Sequence, residues 1–206
     1  MDDVRDLEPL QLDALREVAN IGAGHAATAL SQMVDRKIMI NVPTVNVTPL
    51  EEVAAVLGDP DDVIAAVLMQ MMGDLTGRTL LMFPSEGAHR VCDLIMRRPV
   101  GTTTTLGEME ESGLKEVGNI LSSAYLNALS DFLGMMLVPS VPSLVVDYAA
   151  AVLTSTYLTF GSDRDFVLCV ETRFHFEEAQ DQVSAHFLLL PDLASLRAIF
   201  DAIRLG

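Results

Sequence analysis

Apolar residues near the start of the chain recur at helical spacing. They mark one face at Leu12, Leu15, Val18, Ile21, Ala26, Ala29, Leu30 and Met33. Because one face of an α-helix repeats every 3.6 residues, this pattern predicts a single helix over about residues 10–34. Gly22 and Gly24 interrupt the pattern, and each costs roughly 1 kcal/mol relative to Ala inside a helix. We therefore expect them to admit a close approach by another backbone.

The pattern then changes to strands. From Lys37 to Val47 β-branched residues alternate with others, which predicts a strand with Pro43 at an edge or bulge position. Residues 59–62 form an acidic turn, and apolar segments 63–72 and 78–83 predict a β-hairpin around a loop over 73–77. A short helix to about residue 96 follows, and the threonine run 102–105 is the expected boundary between two halves.

The second half predicts the same order of elements. A helix is expected over about 106–133 with Gly134 as its C-terminal cap, then a hairpin of strands 166–176 and 183–190 around an acidic turn, then a helix over 193–205. Residues 144–153 allow either a buried strand or a short apolar helix, and we favour a helix over 146–153. If exposed, it forms an apolar patch beside Asp147, which suits partner binding; ordinary core is the open alternative.

A four-point pattern occurs in both predicted long helices. Asp13, Glu17 and Asn20 in the first copy return after a shift of 99 positions as Ser112, Glu116 and Asn119 in the second. A proline stands 23 positions beyond each asparagine, at Pro43 and Pro142. Positions i, i+4 and i+7 share one face of a helix. Each helix therefore presents a carboxylate and an amide together.

These side chains limit the chemistry of each face. A carboxylate accepts a hydrogen bond from a lysine ammonium, and an amide both donates and accepts, which suits it to orienting a water. Neither is a strong nucleophile. Two alternatives stay open: repeated solvated faces without a function, and a small-molecule enzyme that uses Glu17 and Glu116 as paired acid and base. The latter needs a short separation that the sequence does not fix.

Composition narrows the class of partner. The net charge of −16 and pI near 4.4 argue against nucleic acid and anionic membranes, and a basic protein surface fits better. Cys92 and Cys169 lie in apolar runs and are expected to be buried thiols of a reducing compartment. The acidic N-terminus and the lack of 18 consecutive apolar residues predict a cytoplasmic protein without membrane insertion. No metal site is expected.

The repeated motif resembles the signature of the CheC/CheX/FliY family of chemotaxis phosphatases, Asp/Ser-x3-Glu-x2-Asn-x22-Pro. Both copies fit it, and the resemblance covers nearly the whole chain. It implies an α/β (α+β) fold with pseudo-twofold duplication, in which two long helices pack on a continuous antiparallel β-sheet. The expected organisation is one domain over 1–206, with halves of about 9–101 and 102–206. Two sites, and no counterpart of the additional C-terminal domain of FliY, favour the CheC type.

The resemblance also implies an activity. The family hydrolyses the aspartyl phosphate of the response regulator CheY, with no cofactor of its own because the regulator supplies Mg²⁺. Glu17 and Glu116 match residues that engage the regulator's lysine, and Asn20 and Asn119 match residues that orient the attacking water. The two copies differ at Asp13 and Ser112, so their activities are expected to differ, with the second the stronger.

The same resemblance implies a second partner, the chemoreceptor deamidase CheD. The apolar segment that contains Val146, Asp147 and Tyr148 is similar to the region that contacts it. The competing interpretation is a binding module without catalysis, which sequesters the phosphorylated regulator or the deamidase.

Overall fold

The structure is a computed structural model that describes residues 9–49, 59–160, 166–176 and 181–205. The helices in these ranges are α1 (Pro9–Val34), α2 (Ser85–Ile95), α3 (Glu108–Leu133), α4 (Ala149–Phe160) and α5 (Leu193–Leu205). The strands are β1 (Ile38–Ile40), β2 (Thr44–Pro49), β3 (Val63–Gly73), β4 (Gly77–Pro84), β5 (Leu137–Pro139), β6 (Ser143–Tyr148), β7 (Phe166–Phe176) and β8 (Asp181–Pro191).

All described strands belong to one antiparallel sheet. Its order is β1-β7-β8-β4-β3-β5, and β2 continues β1 along β7 while β6 continues β5 along β3. The first half therefore lends its edge strand to the hairpin of the second half, and the second half does the same for the first. The two hairpins join directly where β4 pairs with β8, so the sheet is continuous, as expected from the resemblance, and the exchanged strands form its two edges.

The sheet buries two unequal layers. Alternating side chains on one face, among them Val67, Phe83 and Phe187, pack in one large core with α1, α3 and parts of α2 and α5. The opposite face carries a smaller cluster, in which Ala66 and Leu188 lie under Val152 of α4. Because side chains alternate across a strand, the same strands supply both layers.

The two long helices pack antiparallel. Gly22 of α1 lies against Tyr125 of α3, with so little room that a Cβ there would meet the tyrosine Cδ1 at 2.6 Å. Before this crossing Val18 lies with Leu129 around a small apolar void, and after it Leu30 lies with Val117 around another. Tyr125 also stacks on Phe187 at 4.7 Å and shares a hydrogen bond of 3.0 Å with the Thr172 hydroxyl.

Most predicted elements are confirmed. The bounds of α1, α3, β7 and α5 agree with the predicted ones to within two residues, both hairpins form, and Gly134 caps α3 with a left-handed φ of 66°. Cys92 is buried as expected. The Cys169 side chain and the turn at 177–180 lie outside the described residues.

Two expectations are wrong. Residues 146–148 belong to strand β6, and the helix begins only at Ala149, because pairing with β3 satisfies the backbone of the β-branched Val145 and Val146. A Cβ added at Gly24 would meet no heavy atom within 4 Å, so only Gly22 serves a close approach. The sequence pattern does not separate these glycines, because both interrupt the same apolar stripe and the position of Tyr125 is set by the fold.

A buried carboxylate fixes the connection between the halves. Asp93, near the end of α2, accepts hydrogen bonds from the backbone N–H groups of Gly101 (2.7 Å), Thr102 (3.0 Å) and Thr103 (2.9 Å), and from the Thr103 hydroxyl (2.6 Å). Burial by itself would raise the pKa of this carboxyl, but these hydrogen bonds hold its pKa below the ordinary value of 3.8. The chain therefore enters α3 from a fixed direction.

The two glycines of α1 give a matched pair of stability variants. Gly22→Ala should destabilise the protein by about 1–3 kcal/mol, because its Cβ overpacks against Tyr125. Gly24→Ala should be neutral or stabilise it by up to about 1 kcal/mol through helix propensity. Urea unfolding midpoints measure both. Equal midpoints for the two variants would contradict the close crossing of α1 and α3.

The Asp93 clamp gives a pH-dependent prediction. Asp93→Asn should lower the free energy of unfolding at pH 7 by about 2 kcal/mol, because an amide replaces a charged acceptor of four hydrogen bonds. A carboxyl with a lowered folded pKa stabilises the fold above its ordinary pKa and loses this effect as the pH falls through the folded value. The difference from the parent should therefore be constant above about pH 5 and shrink below about pH 4. The control Asp131→Asn, at an exposed position, should leave the free energy of unfolding at pH 7 unchanged.

Candidate functional site

The first motif lies on the outer face of α1. Leu15, Val18 and Ala19 are buried in the large core, and the motif residues on either side of them turn outward. Asp13, Glu17 and Asn20 are all exposed, as their helical spacing predicts. Sequence periodicity alone therefore places this carboxylate and this amide together at the surface.

The second motif repeats this arrangement on α3. Leu114 and Val117 are buried, Ser112 and Glu116 lie at the surface, and Asn119 is half-buried. The start of this helix is held by Glu110, whose carboxylate accepts from Arg98 at 2.6 Å and from the Gly107 N–H at 3.1 Å. The hydrogen bond from Arg98 lowers the pKa of Glu110.

The two motifs differ in what their first residue does. Asp13 accepts a hydrogen bond from Arg16 at 2.7 Å, which places a cation beside the first site. Ser112 cannot form such an ion pair, and Lys115 instead lies 4.0 Å from Glu111. Within the described ranges, the side chains of Glu17, Asn20, Glu116 and Asn119 make no hydrogen bond or ion pair. Their donors and acceptors are therefore available to a partner.

Each motif proline lies in a β-bulge at a sheet edge. Ile40 pairs with Phe174, and Thr44 pairs with Glu171. The chain advances four residues on the edge strand and three on β7 between these pairs, so the edge strand has one extra residue at 42–43. The steps from Pro139 to Ser143 oppose three on β3 in the same way, which places the second bulge at 141–142. Proline has no N–H to donate to a ladder, and edge bulges tolerate it. The predicted position of Pro43 is thus confirmed.

Backbone geometry explains the spacing between asparagine and proline. The Ile38 N–H donates to the Ser31 hydroxyl at 2.9 Å, so the start of β1 lies level with Ser31 on α1. From Ser31 back to Asn20 the helix rises about 16 Å, and from Ile38 to Pro43 the strand covers about 16 Å. Because α1 contacts both β1 and β2, these equal lengths place the bulge at about the level of Asn20 along the helix.

The two motifs are separate sites. With Gly22 level with Tyr125 and the helices antiparallel, Glu17 and Glu116 lie about 14 residues, or about 21 Å, apart along the helix axis. Paired acid–base catalysis requires carboxyl groups within about 10 Å. The hypothesis that Glu17 and Glu116 act as a joint acid and base is therefore contradicted.

The predicted partner-binding residues lie elsewhere, on the edge strand β6. Val146 and Tyr148 are exposed on one face of this strand, and Asp147 is exposed on the other, where its carboxylate accepts from the Tyr148 N–H at 2.8 Å. The structure thus splits the expected patch over two faces. Among the described strands, none pairs with the outer edge of β6.

Some exposed apolar positions are not identified by the periodicity. Ile21 is expected on the core face but is exposed beside Glu17, and Val42 in the bulge is also exposed. The shift of 99 positions could have identified Val42, because Val141 occupies the same place in the second copy. Among the described residues, no group of three or more His, Cys, Asp or Glu could hold a metal ion. No helix in these ranges is long and apolar enough to cross a membrane.

Comparison with known proteins agrees with this geometry. The CheC-like family matches residues 10–47 and 109–146, two segments that are themselves 99 positions apart and contain both motifs. A Bacillus subtilis protein named CheY-P phosphatase CheC is 35% identical over 195 residues, covering 94% of this chain and 93% of that protein.

Solved structures show the same fold. FliY from Thermotoga maritima matches with a TM-score of 0.76 at 22% identity, covering 97% of this chain and 98% of that one. A chain of the CheX–CheY–BeF3–Mg²⁺ complex from Borrelia burgdorferi matches with a TM-score of 0.51 at 14% identity, covering 83% of this chain and 96% of that one. The fold expected from the sequence is confirmed.

Proposed function

Because the chain belongs to the CheC-like family, we propose that it hydrolyses the aspartyl phosphate of a CheY-type response regulator. The observation that carries this proposal is the repeated surface pair of one glutamate and one asparagine, each unpartnered within the described ranges. The name of the Bacillus relative, CheY-P phosphatase, supports the substrate. The complex of CheX with CheY supports a regulator as the docking partner.

The glutamates act as anchors. Glu17 and Glu116 accept hydrogen bonds from the lysine ammonium in the regulator's active site, a charge-assisted contact that is stronger than a neutral one. Because each glutamate precedes its asparagine by three residues on the same helix, this contact fixes the amide relative to the phosphoryl group.

The asparagines act on the water. The side-chain oxygen of Asn20 or Asn119 accepts from a water and its NH₂ group donates to a phosphoryl oxygen, which holds the water in line for attack on phosphorus. Water attacks, the phosphorus–oxygen bond to aspartate breaks, and inorganic phosphate and free aspartate result. Phosphoryl transfer depends mainly on such positioning and on charge stabilisation.

Each motif is half of an active site. The regulator supplies the Mg²⁺, the lysine and the phosphoaspartate, and this chain supplies one carboxylate and one amide. The rival function is a binding module that holds the phosphorylated regulator without accelerating its decay. Surface carboxylates on a chain of net negative charge fit both functions, so the asparagines must be tested directly.

The double variant Asn20→Ala/Asn119→Ala should lose the acceleration of regulator dephosphorylation and keep the fold. Loss of a water-positioning amide typically lowers a rate by about 100-fold or more. The decay of the phosphorylated regulator, with and without the protein, measures this, and circular dichroism checks the fold. Asn127→Ala, at an exposed position on the same α3 helix, is the matched control and should behave as the parent.

If the double variant accelerates decay as the parent does, the proposed hydrolysis through these amides is wrong. If neither the parent nor the variant accelerates decay but both bind the phosphorylated regulator, the binding module is the correct function.

A second interaction is proposed at the edge strand β6, with the deamidase CheD as the partner. The outer edge of β6, which no described strand covers, and the exposed Val146 and Tyr148 support it, because edge strands can accept another strand and apolar neighbours add affinity. Asp147, on the opposite face, offers a carboxylate to a basic group.

Variants on the two faces of β6 test whether this strand binds the deamidase. Val146→Asp and Asp147→Lys should each weaken the complex at least about tenfold if the partner pairs with the strand edge and contacts both faces. Affinity measured by calorimetry with purified deamidase tests this, and regulator dephosphorylation serves as the control for folding. Parent-like affinity of both variants would contradict a site on β6.

A further inference from the structure

The most exposed large apolar side chains follow the same repeat as the motifs. Among the described residues, the four highest exposures belong to Val141 (87%), Val42 (79%), Leu10 (77%) and Met109 (68%). They form two pairs that are each 99 positions apart, Leu10 with Met109 and Val42 with Val141. Single exposed apolar residues are common on protein surfaces. An arrangement that returns at both motifs is not explained by scatter.

The helical pair flanks each glutamate on its own helix. Leu10 precedes Glu17 by seven residues, and Met109 precedes Glu116 by seven. Seven residues are nearly two full turns, so each apolar side chain lies on the same face as its glutamate, about 10 Å along the axis. Helix register therefore fixes this pair on the surface that carries the motif.

The bulge pair lies at the two sheet edges, 22 residues after each asparagine. Val42 and Val141 are the residues immediately before the buried Pro43 and the half-buried Pro142. A bulge at a sheet edge changes the direction of the side chains of its strand. In both copies the valine at the bulge is exposed to solvent. The backbone lengths that place Pro43 at the level of Asn20 place Val42 at that level as well. Along its helix the first motif thus lies between the levels of two exposed apolar side chains, and the 99-position repeat with its equivalent bulge gives the second motif the same arrangement.

We propose that these apolar flanks, Leu10 with Val42 and Met109 with Val141, are docking contacts for the response regulator, and that they determine affinity while the motif performs the chemistry. This inference rests on the proposed function and adds how the partner is recognised. The occupant is a protein surface with a lysine at its centre and apolar side chains around it. Charge supports this choice, because Glu17 and Glu116 lie between the flanks on a chain of net charge −16.

If the flanks determine affinity and the motif performs the chemistry, changes in the flanks should affect KM and changes in the asparagines should affect kcat. Contacts made equally before and during reaction lower KM without changing kcat, whereas the asparagines act on the transition state. Removing the flanks should therefore raise KM for the phosphorylated regulator and leave kcat unchanged. The opposite result, a lower kcat at unchanged KM, would place the valines in the positioning of the reacting groups and would overturn the inference.

The test uses the full chain with Val42→Ala/Val141→Ala. We expect KM for the phosphorylated regulator to rise about tenfold and kcat to stay within about twofold of the parent. Val42→Thr/Val141→Thr keeps the shape and strand propensity and should give a smaller rise in KM. The matched control is Val100→Ala, which alters an exposed valine in the connection between the halves and should leave KM unchanged.

Two further measurements keep the outcomes distinct. The first is the affinity for the beryllofluoride-activated regulator, and weaker binding of the valine variants supports the docking surface. If the parent does not accelerate decay, only the proposed hydrolysis is overturned, because the affinity measurement does not depend on turnover. Sedimentation of the parent and of the valine variant tests whether a second copy of this chain binds the flanks instead of the regulator. A parent dimer that the valine replacements convert to monomer, with regulator affinity unchanged, would show that the flanks join copies of this chain and would overturn the inference.

Discussion

The structure depends on one continuous sheet, in which the hairpins of the two halves pair with each other and each half supplies the edge strands of the other. Pairing of β4 with β8 joins the two hairpins into one surface, and each hairpin is extended at its outer strand by the β1–β2 or β5–β6 strand of the other half. That surface is broad enough for α1 and α3 to lie side by side, and they cross where Gly22 meets Tyr125. A shared crossing point fixes both helices against one core, so both motifs are held on one rigid body.

The same constraint shapes each site. The edge strand β1–β2 returns along α1, and its bulge brings Pro43 to about the level of Asn20 near the middle of that helix. The rigid backbone positions an amide and a carboxylate without any side-chain hydrogen bonds to hold them within the described ranges. Such a site can bind groups of a partner, and under the proposed function these are the lysine and the phosphoryl group of the response regulator.

Much of this could be predicted from the sequence because its signals are local. Helical period placed Glu17 and Asn20 on one face, and the shift of 99 residues identified the duplication before any fold was known. Pairing between distant strands leaves no such local signal. That is why the continuous sheet is implied only by the resemblance, why the sequence does not predict the exchange of edge strands, and why its apolar pattern favours a helix at Val146 although β3 holds this residue in a strand.

Solvent exposure is also hard to predict from the sequence when a residue fits the apolar stripe of its helix but no other element packs over it. Ile21 continues the apolar stripe of α1, yet no described helix or strand covers it fully, and it remains 44% exposed. Gly22 and Gly24 look equivalent in the sequence, and only the position of Tyr125 distinguishes them. Asn20 and Asn119 differ in exposure for the same reason, because surroundings from other elements decide it.

The central claim is that the chain carries two separate half-sites, each completed by one regulator. The most direct measurement is the rate of regulator dephosphorylation with Asn20→Ala and Asn119→Ala as single variants. If the two sites act independently, the accelerations left in the two variants, each taken above the spontaneous rate, should add up to that of the parent. Complete loss of acceleration in both single variants would contradict the central claim, because the motifs would then form one joint site.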